Sequence, residues 1–346
     1  LLSFKINRFI LNNLFAAHHF NEPLTLHGEE QFRNAAIALF RRQGVDNPIY
    51  RKFLSHLGID VHEVGDILKI PFLPISFFKT HLLQTGSFIP EVVFESSGTT
   101  GTVNSRHGIH SMQYYLDNTL INFKEVYGDP RQYCFLALLP SYLEKGNSSL
   151  VAMAKYLMQE SGHPENGFYL NNLDQLVSQL LKLDSQSQPV ILLGVTYALM
   201  DLAERYNLAL KHVIVMETGG MKGRKKEITR AELHGLLRER LGVQDIHAEY
   251  GMTELQSQAY AVRDGIFRAS STMQVLLRSP DDPFEMWLAG QYPGRTGIIN
   301  IIDLANIHTQ AFIATDDLGR FSQDGGFEVL GRVDNCDIRG CSLLAV

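Results

Sequence analysis

The chain has 346 residues, 45% of them hydrophobic and 20% charged, with 28 glycines, a balance that excludes a disordered or fibrous chain and suits a large α/β unit or two subdomains sharing a core. A formal net charge of -6 and an isoelectric point near 6.1 exclude the broad basic face that a duplex nucleic acid requires, while leaving room for a local site that takes a small anion. The three cysteines, Cys134, Cys336 and Cys341, are odd in number and lack Cys-x-x-Cys spacing, which argues against a disulfide framework or a zinc knuckle and for a cytoplasmic location.

No apolar run reaches transmembrane length, and the first residues lack the ordered regions of a secretory signal. The first ninety residues read as helical and then proline-broken. Phe32, Ala36, Leu39 and Phe40 share one face of an amphipathic helix expected to end near Gly44. After Pro71 and Pro74 comes Ile75-Ser76-Phe77-Phe78-Lys79, which cannot be a regular helix throughout; it is either core or the wall of an apolar pocket.

Val92-Val93-Phe94 and Arg106-His107-Gly108-Ile109 read as strands around Ser96-Ser97-Gly98-Thr99-Thr100-Gly101. Four hydroxyls, two glycines and a run of backbone N–H groups suit a polyphosphate with its magnesium ion. The Gly-Lys-Ser/Thr and following helix of a Walker loop are missing, so this would be a different phosphate grip. A hairpin turn rich in Ser, Thr and Gly has the same composition, and on this stretch alone both readings stand.

From Ser111 the pattern alternates. Ser111 caps a helix carrying Tyr115, Leu116, Thr119, Leu120 and Phe123, and residues 133–139 form a buried strand in which Cys134 is core. Helices follow over 149–160 and 173–183, then a strand over 190–193, a helix from Thr196 to about Tyr206, and a strand over 212–216. Thr229 and Glu232 make a capping box for a helix closed by Gly242. This alternation predicts a mostly parallel sheet covered on both faces. Beyond Met252, short strands over 273–278, 284–288 and 297–303 predict antiparallel, barrel-like material. The expected division is a helical region (1–90) packed on the core, an α/β nucleotide-binding core (91–260) and a β-rich subdomain (261–346) that ends in a hinge motif.

Several later segments carry chemistry. Gly219 and Gly220 follow a buried strand, where backbone can approach a base or substrate closely; Lys222, Arg224, Lys225 and Lys226 beside them form a basic cluster best read as a solvated loop. Tyr250, Thr253 and Glu254 offer a ring to stack on adenine, a hydroxyl for an α-phosphate and a carboxylate for magnesium. Thr315-Asp316-Asp317-Leu318-Gly319-Arg320 offers carboxylates for ribose hydroxyls, or is an acidic turn between strands. His107, His110 and His247 form no ligand constellation and read as structural.

Taken together, Ser-Ser-Gly-Thr-Thr-Gly, Tyr-Gly-Met-Thr-Glu, Thr-Asp-Asp-Leu and Gly-Arg-Val-Asp resemble, in order and rough spacing, the motif series of the acyl-adenylate-forming (ANL) superfamily. Residues 71–79, 217–224 and 249–260 narrow the likeness to the acyl-protein synthetase (LuxE-type) family. The resemblance implies a large α/β adenylating domain with mostly parallel sheets covered by helices, plus a smaller antiparallel β part. It further implies ATP-dependent conversion of a fatty or related carboxylic acid to acyl-AMP, with pyrophosphate released, and transfer of the acyl group to a protein cysteine.

Carried over by motif, Ser96, Ser97, Gly98, Thr99, Thr100 and Gly101 would hold the β- and γ-phosphates. Tyr250, next to Gly251, would stack on adenine, Thr253 would contact the α-phosphate, and Glu254 with Thr100 would bind magnesium. Asp317 and Arg332 would contact the ribose, the latter near the hinge, while Cys341 matches the cysteine that receives the acyl group before it passes to an acceptor such as a reductase subunit. The chain departs from the superfamily pattern in three ways. Arg106 is the candidate replacement for the usual phosphate-loop lysine, and Asp316 stands where glycine is usual. The chain also stops soon after Gly-Arg-Val-Asp, so that the small mobile carboxyl-terminal domain with its lysine is expected to be absent or truncated, which favours a protein thiol over coenzyme A (CoA). A CoA ligase of the phenylacetate type and a non-catalytic nucleotide-binding module are the alternatives.

Overall fold

The computed structural model describes residues 22–96, 103–140, 147–170, 172–219 and 228–333. The first helix, α1 (Glu29–Asp46), buries Phe32, Ala36, Leu39 and Phe40 as their spacing requires. It runs two residues past Gly44, because the missing side chain there is the space that Val61 and Leu54 fill. Asn47 then starts α2 (Pro48–His56), its side chain accepting from the Ile49 and Tyr50 amides at 3.2 and 3.1 Å. Its Nδ2 donates to Thr309 O at 3.1 Å, and Gln43 Nε2 donates to Asn306 O at 2.8 Å. Both helices are thereby fixed to a distant loop through groups that burial would otherwise leave unsatisfied.

Strand β1 (Leu73–Pro74) pairs in parallel with a much later strand, and α3 (Phe77–Thr80) follows as one short turn. Phe72 and Phe78 are buried, so for these two the core reading of the aromatic segment holds. Strands β2 (Val92–Glu95) and β3 (Arg106–Ile109) form a separate antiparallel pair in which Phe94 faces His107 and Glu95 faces Arg106.

Next come α4 (Met112–Tyr127), capped by Ser111 on the Tyr114 amide, β4 (Cys134–Leu138), α5 (Ser149–Ser161), β5 (Gly167–Tyr169) and α6 (Leu173–Ser185). They lead to β6 (Val190–Val195), α7 (Thr196–Arg205), β7 (Val213–Thr218), α8 (Arg230–Leu241) and β8 (Ile246–Tyr250). The Thr229–Glu232 capping box is present, and Gly242 closes α8 at φ 71°, a left-handed cap that a β-carbon would disfavour. Such a box contributes on the order of 1 kcal/mol. Strands β5, β4, β6, β7 and β8 are parallel, in that spatial order.

The remaining strands are β9 (Ala259–Ala261), β10 (Phe267–Ala269), β11 (Met273–Arg278), β12 (Met286–Leu288), β13 (Thr296–Asp303), β14 (Phe312–Phe321) and β15 (Phe327–Arg332). They continue the same sheet in antiparallel pairing, in the order β12-β11-β13-β14-β15-β10-β9-β8. The fold is therefore mixed α/β, with one large sheet that is parallel on one side and, apart from β1 beside β14, antiparallel on the other, and a small separate sheet.

Two main apolar cores follow this division. One joins residues 24–83 to the antiparallel strands, and the other lies between the parallel strands and their helices. Residues 315–320 are not a turn: they lie inside β14, paired with β13 and β15. The two aspartates are tolerated there because the strand exposes Asp316 and gives Asp317 hydrogen-bonding partners.

Candidate active site

In an α/β sheet the carboxyl ends of parallel strands leave an open crevice, and β7 and β8 end side by side here, Thr218 in register with Glu249. Beyond β8 the chain turns through Gly251, Met252, Thr253 and Glu254. Tyr250 Oη donates to Asp317 Oδ2 at 2.8 Å, and Arg332 Nε donates to Asp317 Oδ1 at 3.3 Å. The end of β8 and the neighbouring strands β14 and β15, where Asp317 is the register partner of Arg332, thus meet at one carboxylate, which is 7% exposed.

Burial raises the Asp317 pKa, opposed by Arg332 and by the Tyr250 hydroxyl. Each of its oxygens keeps a lone pair, so it can still accept from a ligand hydroxyl. The ring of Tyr250 lies against Phe267 and Phe327, each with centroids 5.8 Å away, and is almost wholly covered; its hydroxyl is used on Asp317. The Arg332 side chain is mostly exposed.

Glu254 is buried, and burial raises its pKa, with a bond from Ser105 and the charge of Arg332 acting the other way. Its backbone carbonyl accepts from Asn306 Nδ2 at 2.8 Å. Thr253 is held through its carbonyl, 2.8 Å from His107 Nδ1, while His107 Nε2 lies 2.9 Å from Thr309 Oγ1. His107 therefore clamps the β2–β3 pair onto the turn after β8. Burial pushes its pKa down to about 4, so it holds this bridge as a neutral ring. His107 was legible only as a structural histidine, because its partners are 146 and 202 residues away.

At the base of the hydroxyl-rich loop, Ser96 Oγ accepts from the Ser105 amide at 2.9 Å, and the Ser96 amide donates to Ser105 O at 3.0 Å. Arg106 is exposed at the start of β3. Ser97, Gly98, Thr99, Thr100, Gly101, Gly220, the basic cluster over 222–226 and Cys341 lie outside the described residues. Cys134 is buried and its thiol pKa is pushed up to about 12, in keeping with a core role.

At the end of β7, Gly219 has φ 70° and its carbonyl accepts from Thr196 Oγ1 at 2.8 Å. Thr196 also donates to Glu217 Oε2 at 3.1 Å, and Arg230 Nε donates to Glu217 Oε1 at 3.0 Å. Burial of Glu217 is outweighed by His234, Arg230 and Thr196, which together hold its pKa below the usual carboxylate value. Arg230 also donates to Val329 O at 2.9 Å, joining α8 to β15.

Magnesium fits this set in one manner. Among the described residues no group of three or more His, Cys, Asp or Glu side chains could hold a metal ion. A single buried carboxylate such as Glu254 would share the ion with substrate phosphates, as magnesium commonly requires.

The family model described as "Acyl-protein synthetase, LuxE" matches residues 14–345. No curated protein matches the chain. Similar solved structures include a luciferase-like enzyme from the nonluminescent Zophobas morio mealworm, with TM-score 0.49 and 16% identity, covering 72% of this chain and 60% of that one. A long-chain-fatty-acid-CoA ligase from Archaeoglobus fulgidus has TM-score 0.49 and 14% identity, covering 70% of this chain and 51% of that one. An O-succinylbenzoate CoA synthetase from Bacillus subtilis, in complex with AMP, has TM-score 0.47 and 15% identity, covering 70% and 61%. The chain thus spans between about half and three-fifths of the length of these structures.

Proposed function

The chain belongs to the LuxE acyl-protein synthetase family, and on that premise we propose that it activates a carboxylic acid with ATP and passes the acyl group to a protein thiol. In the first step a carboxylate oxygen attacks the α-phosphorus, the bond to the β-phosphate oxygen breaks, and pyrophosphate leaves. In the second, a thiolate attacks the acyl carbon, the acyl–phosphate bond breaks and AMP departs with the electron pair. A carboxylate is a poor electrophile, and adenylation supplies its leaving group; a thiolate is the most able protein nucleophile near neutral pH.

The observation that carries this reading is the meeting of Tyr250, Asp317 and Arg332, with Thr253 and Glu254 on the adjoining turn. Asp317 accepts from a ribose hydroxyl and Tyr250 keeps its carboxylate oriented. Thr253 contacts the α-phosphate, positioned through its carbonyl by His107. Glu254 and Thr100 would hold magnesium, which when bound would neutralise charge that grows on the phosphates. Ser96 to Gly101 would take the departing pyrophosphate, Gly219, Gly220 and Gly251 would let the nucleotide approach backbone, and Arg106 would supply the charge of the usual loop lysine. Cys341 is the acyl acceptor, and a second protein takes the group from it.

Intact mass after incubation with ATP and a mixture of acids tests the second step. An acyl adduct removed by hydroxylamine and lost in Cys341→Ser is expected. An adduct that survives both treatments overturns the Cys341 thioester, and rapid production of acyl-CoA on adding CoA overturns the protein acceptor.

A further inference from the structure

The connection over 251–258 joins two strands that lie side by side, β8 and β9, and it carries both Thr253 and Glu254. Within it the Leu255 amide donates to Met252 O at 3.0 Å. The acceptor for its next two amides comes from a distant strand end. Asp303, the last residue of β13, takes the Gln256 amide at 2.7 Å and the Ser257 amide at 3.1 Å, both on Oδ2. Its Oδ1 accepts from Ser257 Oγ at 2.6 Å and from the Ala305 amide at 3.0 Å.

Asp303 is wholly buried, and among the described residues no cation pairs with it. Burying a charge without a counter-charge is unfavourable, and a carboxylate is the side chain that accepts from as many as four donors at once. Here that whole capacity goes to the 251–258 connection and to the loop that follows β13. The same loop grips the connection at two further points. Asn306 Nδ2 donates to Glu254 O at 2.8 Å, and Thr309 reaches Thr253 O through His107. The loop is tied down from α1, where Gln43 donates to Asn306 O and accepts from the Ala311 amide at 2.9 Å. Thr253 and Glu254 are thus held by their carbonyls, and the course of the backbone sets the direction in which each side chain leaves it.

We propose that Asp303, supported by Asn306, is a positioning residue of the adenylating site, fixing the 251–258 connection so that the Thr253 hydroxyl meets the α-phosphate and the Glu254 carboxylate meets magnesium. This rests on the adenylation reading and deepens it. Asp303 itself touches neither nucleotide nor acid; it acts through the Gln256 and Ser257 amides. Asparagine at this position keeps the size but replaces one oxygen by an NH2 group. Both carboxylate oxygens face donors, so either orientation of the amide leaves one pair of donors without an acceptor.

The test measures acid-dependent ATP–pyrophosphate exchange over a range of magnesium, together with deuterium exchange of the backbone amides. In Asp303→Asn, kcat is expected to fall by about ten- to a hundredfold, the effect of a displacement near 1 Å at a reacting group. KM for ATP at saturating magnesium should be little moved, because Asp317 is untouched, and the magnesium concentration giving half-maximal rate should rise several-fold. The amides over 252–258 should take up deuterium faster than in the wild type. Leu180→Ala, a truncation in the core under α6, controls for lost stability alone and should leave kcat and the magnesium requirement as they are. A kcat and a magnesium requirement in Asp303→Asn no further from wild type than those of Leu180→Ala overturn the proposal. Should Asp303→Asn fail to fold, Ser257→Ala and Asn306→Ser are read in the same way, and normal values in both overturn it. Absence of exchange by the wild type with every acid sinks the adenylation reading instead. The deuterium measurement then decides on the clamp: faster uptake confined to 252–258 supports it, and unchanged uptake there overturns it.

Discussion

Replacing Glu249 by glutamine should stabilise the protein, and increasingly so as the pH rises. Burial, opposed by the Thr218 bond and reinforced by the nearby charge of Glu217, raises the Glu249 pKa from 4.5 to about 7. The folded state therefore holds this proton more tightly than the unfolded chain does. The stabilisation that results is complete below the unfolded value and is lost as pH climbs through about 7, above which the native state carries a buried charge that pairs with no cation among the described residues. At about 1.4 kcal/mol per pKa unit, the difference corresponds to about 3 kcal/mol. Glutamine keeps the shape and an acceptor for Thr218 but carries no charge. Urea unfolding of wild type and Glu249→Gln at pH 5, 7 and 8.5 reads the difference directly, since titrations elsewhere cancel between the two proteins. The variant's advantage should grow by up to about 3 kcal/mol between the extremes. A difference that is flat with pH, or one that favours the wild type more strongly in alkali, would refute the reasoning.

Other perturbations test the supports of the site. His107→Leu removes the bridge between Thr253 O and Thr309 Oγ1 and leaves the buried Thr309 hydroxyl and the half-buried Thr253 carbonyl without it, a loss of about 1–3 kcal/mol expected in urea unfolding. The wild-type histidine, held neutral with a pKa of about 4, should contribute stability that is lost as pH falls from about 6.5 towards 4; His107→Leu should lack this part of the acid sensitivity. Arg230→Gln strips Glu217 of its close cationic partner, with an expected loss of about 3 kcal/mol in thermal or urea unfolding. Tyr250→Phe frees one oxygen of Asp317 and should raise KM for ATP several-fold, measured by initial rates over a range of nucleotide.

Much of the architecture was legible because it is local. The Ser111 cap, the Thr229–Glu232 box with Gly242 and the apolar run over 190–193 depend on residues within a few positions, and all are present. Strand β5 leaves no signal in the sequence because three half-buried residues with no alternation carry no period. Residues 315–320 held a turn-like composition, and only their pairing with β13 and β15 makes them strand. At the candidate site the motifs pointed to Tyr250, Thr253, Glu254, Asp317 and Arg332, but not to how they are held. The bridge through His107 spans long stretches of chain, and the environment of Glu249 depends on the missing side chain of Gly251, on Gln258 and on a register partner across β9. Neither has a periodic or spacing signal.

The central claim, that this chain joins a carboxylic acid to AMP, is tested most directly by incorporation of labelled pyrophosphate into ATP. The account predicts exchange that depends on an added acid and magnesium and falls by tenfold or more in Asp317→Ala. Absence of exchange with every acid, or exchange indifferent to acid and to Asp317, would contradict it.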